Sequence, residues 1–285
     1  MSAIAIVAAY ALREALRRRV FVVVLILTAA FLGLFWLGAG RAFAEAEEVG
    51  GTTDGAVDVE TLTGATLFGL SMFGTLFLGT ILAVFLTLGA VRGDAERGLL
   101  QPLVVRPLGR VAFLLARFGG AAAVCSVYVV LVFLGALAIV RAAGPWTPDR
   151  VLAPALELAF AVVLLTAMSL FGSALLSSSA NGIAVFMLFG AGLVAGLLGQ
   201  IGEALDSETL IAVADRTAWV LPFEALYQDA LYRITEDTRG FTRIALSLGP
   251  FGGAQPGGSS LPAWALVYLV GVLALAAVAF ARRDL

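Results

Sequence analysis

Charged side chains fall along this chain in clusters, and the stretches between them are almost wholly apolar. A charge at mid-bilayer costs about 2.5–3.5 kcal/mol, so the charge-free gaps mark where a helix can cross a membrane. The first gap, Arg19 to Arg41, is one helix long and predicts a span at about 20–40. Glu60 to Arg92 holds a second at about 67–91, and Arg117 to Arg141 holds the body of a third at about 112–140. From Glu157 to Glu203 no residue is charged, well over the ~20 residues that cross a bilayer once. Ser177-Ser178-Ser179-Ala180-Asn181-Gly182 breaks that gap with a polar turn, giving spans at about 153–176 and 182–201. After Arg243, glycine and proline dominate 249–260, so the last span is 261–281. The pattern predicts an all-α, polytopic membrane protein of six transmembrane helices in one domain, 1–285.

The flanks add further elements. Ile4, Val7, Ala8, Ala11, Leu12 and Ala15 share one face of a helix over 3–19, with Arg13, Glu14 and Arg17 largely elsewhere. This reads as an amphipathic helix on the inner leaflet, or as the start of the first span. The run from Val20 to Gly40 exceeds the roughly 7–15 residues of a secretory core, so it reads as a retained anchor despite Ala42-Phe43-Ala44 beyond it. Residues 41–66 read as a loop. Within the segment 202–260, Ala204–Trp219 and Phe223–Ile234 read as short helices parted by Pro222. Trp219, Phe223, Tyr227 and Tyr232 suit a headgroup layer.

Arginine placement orients the spans. With both termini cytoplasmic, the inner segments hold Arg13, Arg17, Arg18, Arg19, Arg92, Arg97, Arg106, Arg110, Arg117, Arg282 and Arg283 against only Glu14, Asp94, Glu96 and Asp284. The outer segments are then rich in acids, and the positive-inside rule favours this arrangement in a plasma (inner) membrane.

Composition narrows the chemistry. The chain has 285 residues, 61% hydrophobic and 13% charged, with net charge −2, which argues against nucleic acid as a partner. There is no histidine, and all 18 basic residues are arginine. A P-loop needs a lysine to reach the β/γ-phosphates, so ATP hydrolysis by this chain is excluded on sequence. Zinc-protease motifs and His-activated nucleophiles fail for the same kind of reason. Cys125 is the only cysteine, so no disulfide forms within the chain, and no metal site or resident cofactor is expected.

Few polar groups lie in the spans. Glu157, near the outer end of the fourth, reads as an interfacial glutamate satisfied by water. Ser71, Thr75, Ser126, Thr166, Ser169 and Gln200 read as helix-packing groups. Gly192 and Gly196 form G-x-x-x-G, and Gly69, Gly74 and Gly79 recur every five residues; small residues let helices approach closely, within a subunit or across a dimer.

Between the second and third spans, residues 92–110 form a loop whose core reads AERGLLQPLVVRPLGR over 95–110. Leu99, Leu100, Leu103, Val104 and Val105 are too few to cross a membrane. Gly98 and Pro102 bracket a short helical piece, and Pro107 with Gly109 marks a turn. A short semi-apolar cytoplasmic helix flanked by arginines suits a groove on a soluble partner; a basic loop that merely obeys the positive-inside rule is the other reading.

The stretch resembles the loop between the second and third spans of type-2 ABC exporter permeases, which typically read E-x-G-T-L-x-x-L-L-x-R-P-[LV]-x-R, then G-K and another glycine. Glu96, Gly98, Leu100, Arg106-Pro107-Leu108 and Arg110 match; Arg117 stands in the lysine's place, and Gly120 matches the later glycine. Leu99 replaces a common threonine, and Pro102 falls inside the expected helix. Ala180–Phe186, Gln200-Ile201-Gly202, Leu221–Leu226 and the ending Arg282-Arg283-Asp284-Leu285 also look like this family's later segments.

The resemblance implies two permease subunits, identical or related, docked on two copies of a separate ATPase that carries ATP and Mg. It also implies that Arg97 to about Val105 is the coupling helix. Glu96 would then cap or ion-pair the helix start, Leu99, Leu100 and Leu103 would meet the partner, and Arg106, Pro107 and Arg110 would shape or dock the loop. The expected function is the membrane half of an ATP-driven exporter. A non-transport scaffold recruiting a soluble factor is the alternative. A channel is disfavoured because no ring of charge lines a span.

Overall fold

A computed structural model of the chain describes residues 19–50, 58–88, 110–247 and 254–282. Among these residues the protein is all helical, with no strand. In chain order the helices are α1 (Arg19–Gly50), α2 (Val59–Thr87), α3 (Arg110–Ala143), α4 (Leu152–Leu175) and α5 (Ser178–Ala204). They are followed by α6 (Glu208–Val220), α7 (Pro222–Arg233), α8 (Gly240–Ser247) and α9 (Leu261–Ala281). Six helices, α1 to α5 and α9, are long and apolar enough to cross a membrane. The amphipathic helix expected over 3–19 lies, but for Arg19, outside the described residues.

The helices do not stop where the apolar runs do. Residues 41–66, expected as a loop, are helical at both ends: α1 continues through Arg41 and Glu45 to Gly50, and α2 begins at Val59. Charge penalises burial in lipid, not helix formation, and the alanines and glutamates of Arg41–Glu48 are good helix formers in water. Asp58 starts α2 as its N-cap, accepting from the Thr61 backbone N–H at 3.0 Å with Glu60 in the first turn. At its other end α2 stops at Thr87, short of the expected 91. The polar turn expected over 177–182 is tighter than that: Leu176 and Ser177 make it, and Ser178 already opens α5.

Helices α2, α3 and α4 form the centre. In their most apolar windows, 67% of α2 and 72% of α4 is buried, against 17% of α1, 28% of α5 and 22% of α9. The peripheral three present rows of exposed apolar side chains such as Leu34, Met187 and Val270. In lipid, apolar burial hardly drives helices together, so close packing has to. At Gly79 three helices meet: a Cβ there would lie 2.9 Å from both Val129 of α3 and Val162 of α4. Gly74 likewise makes room for the Phe31 ring of α1. Phe68 is fully buried, with Phe133 edge-on at 5.1 Å and Trp146 at 6.0 Å.

Hydroxyls inside the bundle bond mostly within their own helix. Ser71, Thr75 and Thr166 donate to the carbonyls of Phe68, Ser71 and Val162, each at 2.7 Å. Among the described residues two hydroxyl–hydroxyl pairs cross between helices: Thr28 with Tyr128, joining α1 to α3, and Thr87 with Ser169 at 2.6 Å, joining α2 to α4.

Helices α6, α7 and α8 cap one end of the bundle. There the Asp58 N–H donates to Thr242 of α8, the Asp149 N–H donates to the Ile234 carbonyl, and the Asp237 N–H donates to the Asp149 carboxylate. The opposite end carries the last turn of α2, the first of α3 and the α4–α5 turn.

Candidate functional site

At the uncapped end lie the last turn of α2 and the first of α3, which the loop singled out above joins in sequence. Glu96, Arg97, Gly98, Leu99, Leu100, Leu103, Arg106 and Pro107 lie outside the described residues, and Arg110 opens α3. The frame on either side is fixed. Thr87, in the last turn of α2, bonds Ser169, and the fully buried Asn181 of α5 donates from Nδ2 to the Ser169 carbonyl at 2.9 Å. Three helices are thus tied together at the root of the loop. On α3, Arg117 lies over the Phe113 ring at 5.5 Å, and Phe113 neighbours Phe280 of α9.

Gly192 and Gly196 face the cap, not another copy of the chain. A Cβ at Gly192 would come within 2.6 Å of Phe223, and one at Gly196 would overlap the Glu224 carboxylate. The G-x-x-x-G face is a seat for α7. Pro222 fits the first turn of α7, and Phe223, Leu226, Tyr227, Ala230 and Leu231 pack inward at helical spacing. Phe223 and Tyr227, expected at a headgroup layer, are therefore core residues. Tyr232 sits beneath the Arg243 guanidinium at 5.0 Å, while Trp219 is exposed.

Glu157 also has a different environment from the water expected of it. Arg233 of α7 donates to it at 2.8 Å and also bonds Asp229 Oδ2 at 2.8 Å. Asp229 Oδ1 accepts from the Gly257 N–H at 3.0 Å. One arginine thus joins α4, α7 and the segment leading into α9. The sequence signal was the Asp229–Arg233 pair at i,i+4, whose guanidinium gains its second anion only through the fold.

Beside this cluster the cap forms a half-open cavity of ≈ 220 Å³ between α5, α6, α7 and the start of α9. Glu224 reaches it, 4% exposed, with Oε1 accepting from Gln228 at 2.8 Å. Burial pushes its carboxyl up to about 7, against the smaller opposing pull of the Gln228 bond. The fold therefore holds a proton that the unfolded chain has lost between about pH 4.5 and 7. Stability from this group is full below that window and falls as pH rises through it. Glu224→Gln should raise stability by about 1–3 kcal/mol at pH 8 and change it little at pH 4.5, as melting curves at the two pH values would read.

Among the described residues no group of three acids, cysteines or histidines stands close enough to hold a metal. The contacts of this arrangement join helices α2, α4, α5 and α7 and the segment leading into α9. No curated protein matches the chain. The profile of the family described as "ABC-2 family transporter protein" matches residues 5–285, nearly the full length. The chain therefore belongs to the ABC-2 transporter family, as a multi-pass membrane component of a transporter.

Proposed function

We propose that the chain is the membrane-spanning half of an ATP-driven exporter, working with a separate ATPase subunit and a second copy or a related permease. The observation that carries this is the family match over residues 5–285. The motif at 92–110 supports it, and in sequence that loop follows the α2 end held by the Thr87–Ser169–Asn181 tie. The absence of lysine supports the same reading, since a chain without a P-loop needs an interface to one that has it. In this reading the loop and both termini are cytosolic, and the capped end faces outward across a plasma membrane. ATP closes the partner dimer, the segment from Arg97 to about Val105 is displaced, and the tie passes that displacement to α4 and α5. Substrate leaves between the two membrane subunits.

A photo-cross-linking side chain placed at Leu103 and activated in cells should capture a P-loop ATPase. Capture of other soluble proteins only, or of none at an efficiency that captures known neighbours elsewhere, would contradict the proposal.

A further inference from the structure

The cavity under the cap has a composition that selects for one kind of occupant. Two carboxyls line it: Glu224, almost fully buried, and Asp215, exposed at the rim on α6. No basic side chain lines it. Arg233, on the same helix as Glu224, is taken up by Glu157 and Asp229. Among the described residues the Glu224 carboxyl has one side-chain hydrogen bond, from a neutral amide. A buried carboxylate with no counter-charge is costly, and its raised proton affinity is the signature of that cost.

Two tryptophans also line the cavity, Trp219 exposed and Trp264 half-buried. Trp219 and Trp264 stand 5.0 Å apart at 56°, and Trp264 Nε1 donates to the Trp219 carbonyl at 3.1 Å, so the Trp264 donor is already used. Indole faces attract cations. Gln200 and Gln228 add amides, with Gln200 Nε2 donating to Gln228 Oε1 at 3.4 Å. Gly196 lets the Glu224 carboxyl lie against α5, where any side chain would displace it.

Other occupants fit less well. An anion would meet two carboxyls and no basic partner. A hard metal ion wants about six oxygen ligands, with carboxylates prominent, and no three acidic groups gather among the described residues. The volume matches roughly seven waters' worth of liquid, the size of a small organic group. We propose that this cavity is a binding site for a small organic ammonium ion of about choline size, with the Glu224 carboxylate as counter-charge and the two indoles as walls. The ammonium arises either as a free amine or as the headgroup of a membrane lipid. This goes beyond the exporter reading and does not depend on it, because the site lies within one chain.

The test uses the purified full chain without any ATPase, so its outcome is separate from that of the coupling proposal. Choline is titrated at pH 8 in lipid-free detergent, following tryptophan fluorescence, with sodium chloride and glucose as controls. A saturable change with choline alone is expected. Glu224→Gln should weaken it roughly tenfold and Asp215→Asn roughly threefold, through loss of the coulombic attraction to the quaternary nitrogen. Asp215→Asn lies at an exposed position and keeps the test decisive if the buried variant fails to fold. In nanodiscs, a choline curve displaced by phosphatidylethanolamine but not by phosphatidylglycerol identifies a lipid headgroup; an undisplaced curve identifies a free amine. No saturable response to choline, saturation by glucose instead, or curves unchanged in both variants would overturn the site.

Discussion

Arg233→Ala should lower the melting temperature of the purified chain by ~5–15 °C, corresponding to about 2–4 kcal/mol. The arginine holds Glu157 and Asp229 at 2.8 Å each, and those side chains are only 12% and 3% exposed. Removing one partner of a buried pair leaves uncompensated charge, which typically costs about 3–5 kcal/mol. The arginine itself is one-third exposed, so water offsets part of that cost. Asp229 keeps its bond from the Gly257 N–H, whereas Glu157 Oε2 is already buried without a partner. Glu157 should therefore carry most of the penalty. Adding Glu157→Gln to Arg233→Ala should recover more than half of the loss, and Arg233→Lys should retain only part of the stability, because an ammonium does not reproduce the fork of donors. A double variant no more stable than Arg233→Ala would show that the arginine acts through packing and not through charge.

Gly98→Trp and Glu96→Arg should each reduce stimulation of the partner ATPase at least tenfold, a loss of about 1.4 kcal/mol or more at the interface. The first adds bulk where the proposed helix meets its partner. The second reverses a charge at the start of that helix, where an acid complements the positive end of the helix dipole. Because the proposal places these residues in the coupling loop and not in the bundle, the melting temperature of the chain alone should move by less than ~2 °C. Full stimulation by both variants, in a reconstituted complex, would remove these residues from the coupling role.

The spans were legible because lipid imposes a simple rule on charge, and the gaps between charges report it. Where the helices end was less legible, because the rule governs the bilayer and not the helix. Arg41–Glu48 continues α1 beyond the apolar run, and Asp58 starts α2 by a local cap that hydropathy does not register. The cap was half legible. Pro222 separated two short helices as expected, but α8 went unseen: Gly240–Ser247 is too short to leave a clear period.

The cavity and its charge cluster were not legible at all. Glu224, Asp229 and Arg233 look like the polar side of a short surface helix, and only the packing of α7 on α4 and α5 buries Glu224 and Asp229 and brings Arg233 to Glu157. Gly192 and Gly196 announced close approach but not its target, which is a side chain of the same subunit.

The central claim is that residues 92–110 face the cytosol and are gripped by a nucleotide-hydrolysing partner. A single cysteine replacing Arg97 tests it most directly, since the native Cys125 is fully buried and contributes little background. A membrane-impermeant maleimide should leave this position unmodified in intact cells. It should react in inside-out vesicles stripped of peripheral proteins, and react far more slowly once the ATPase is restored. Labelling from outside intact cells would contradict the account.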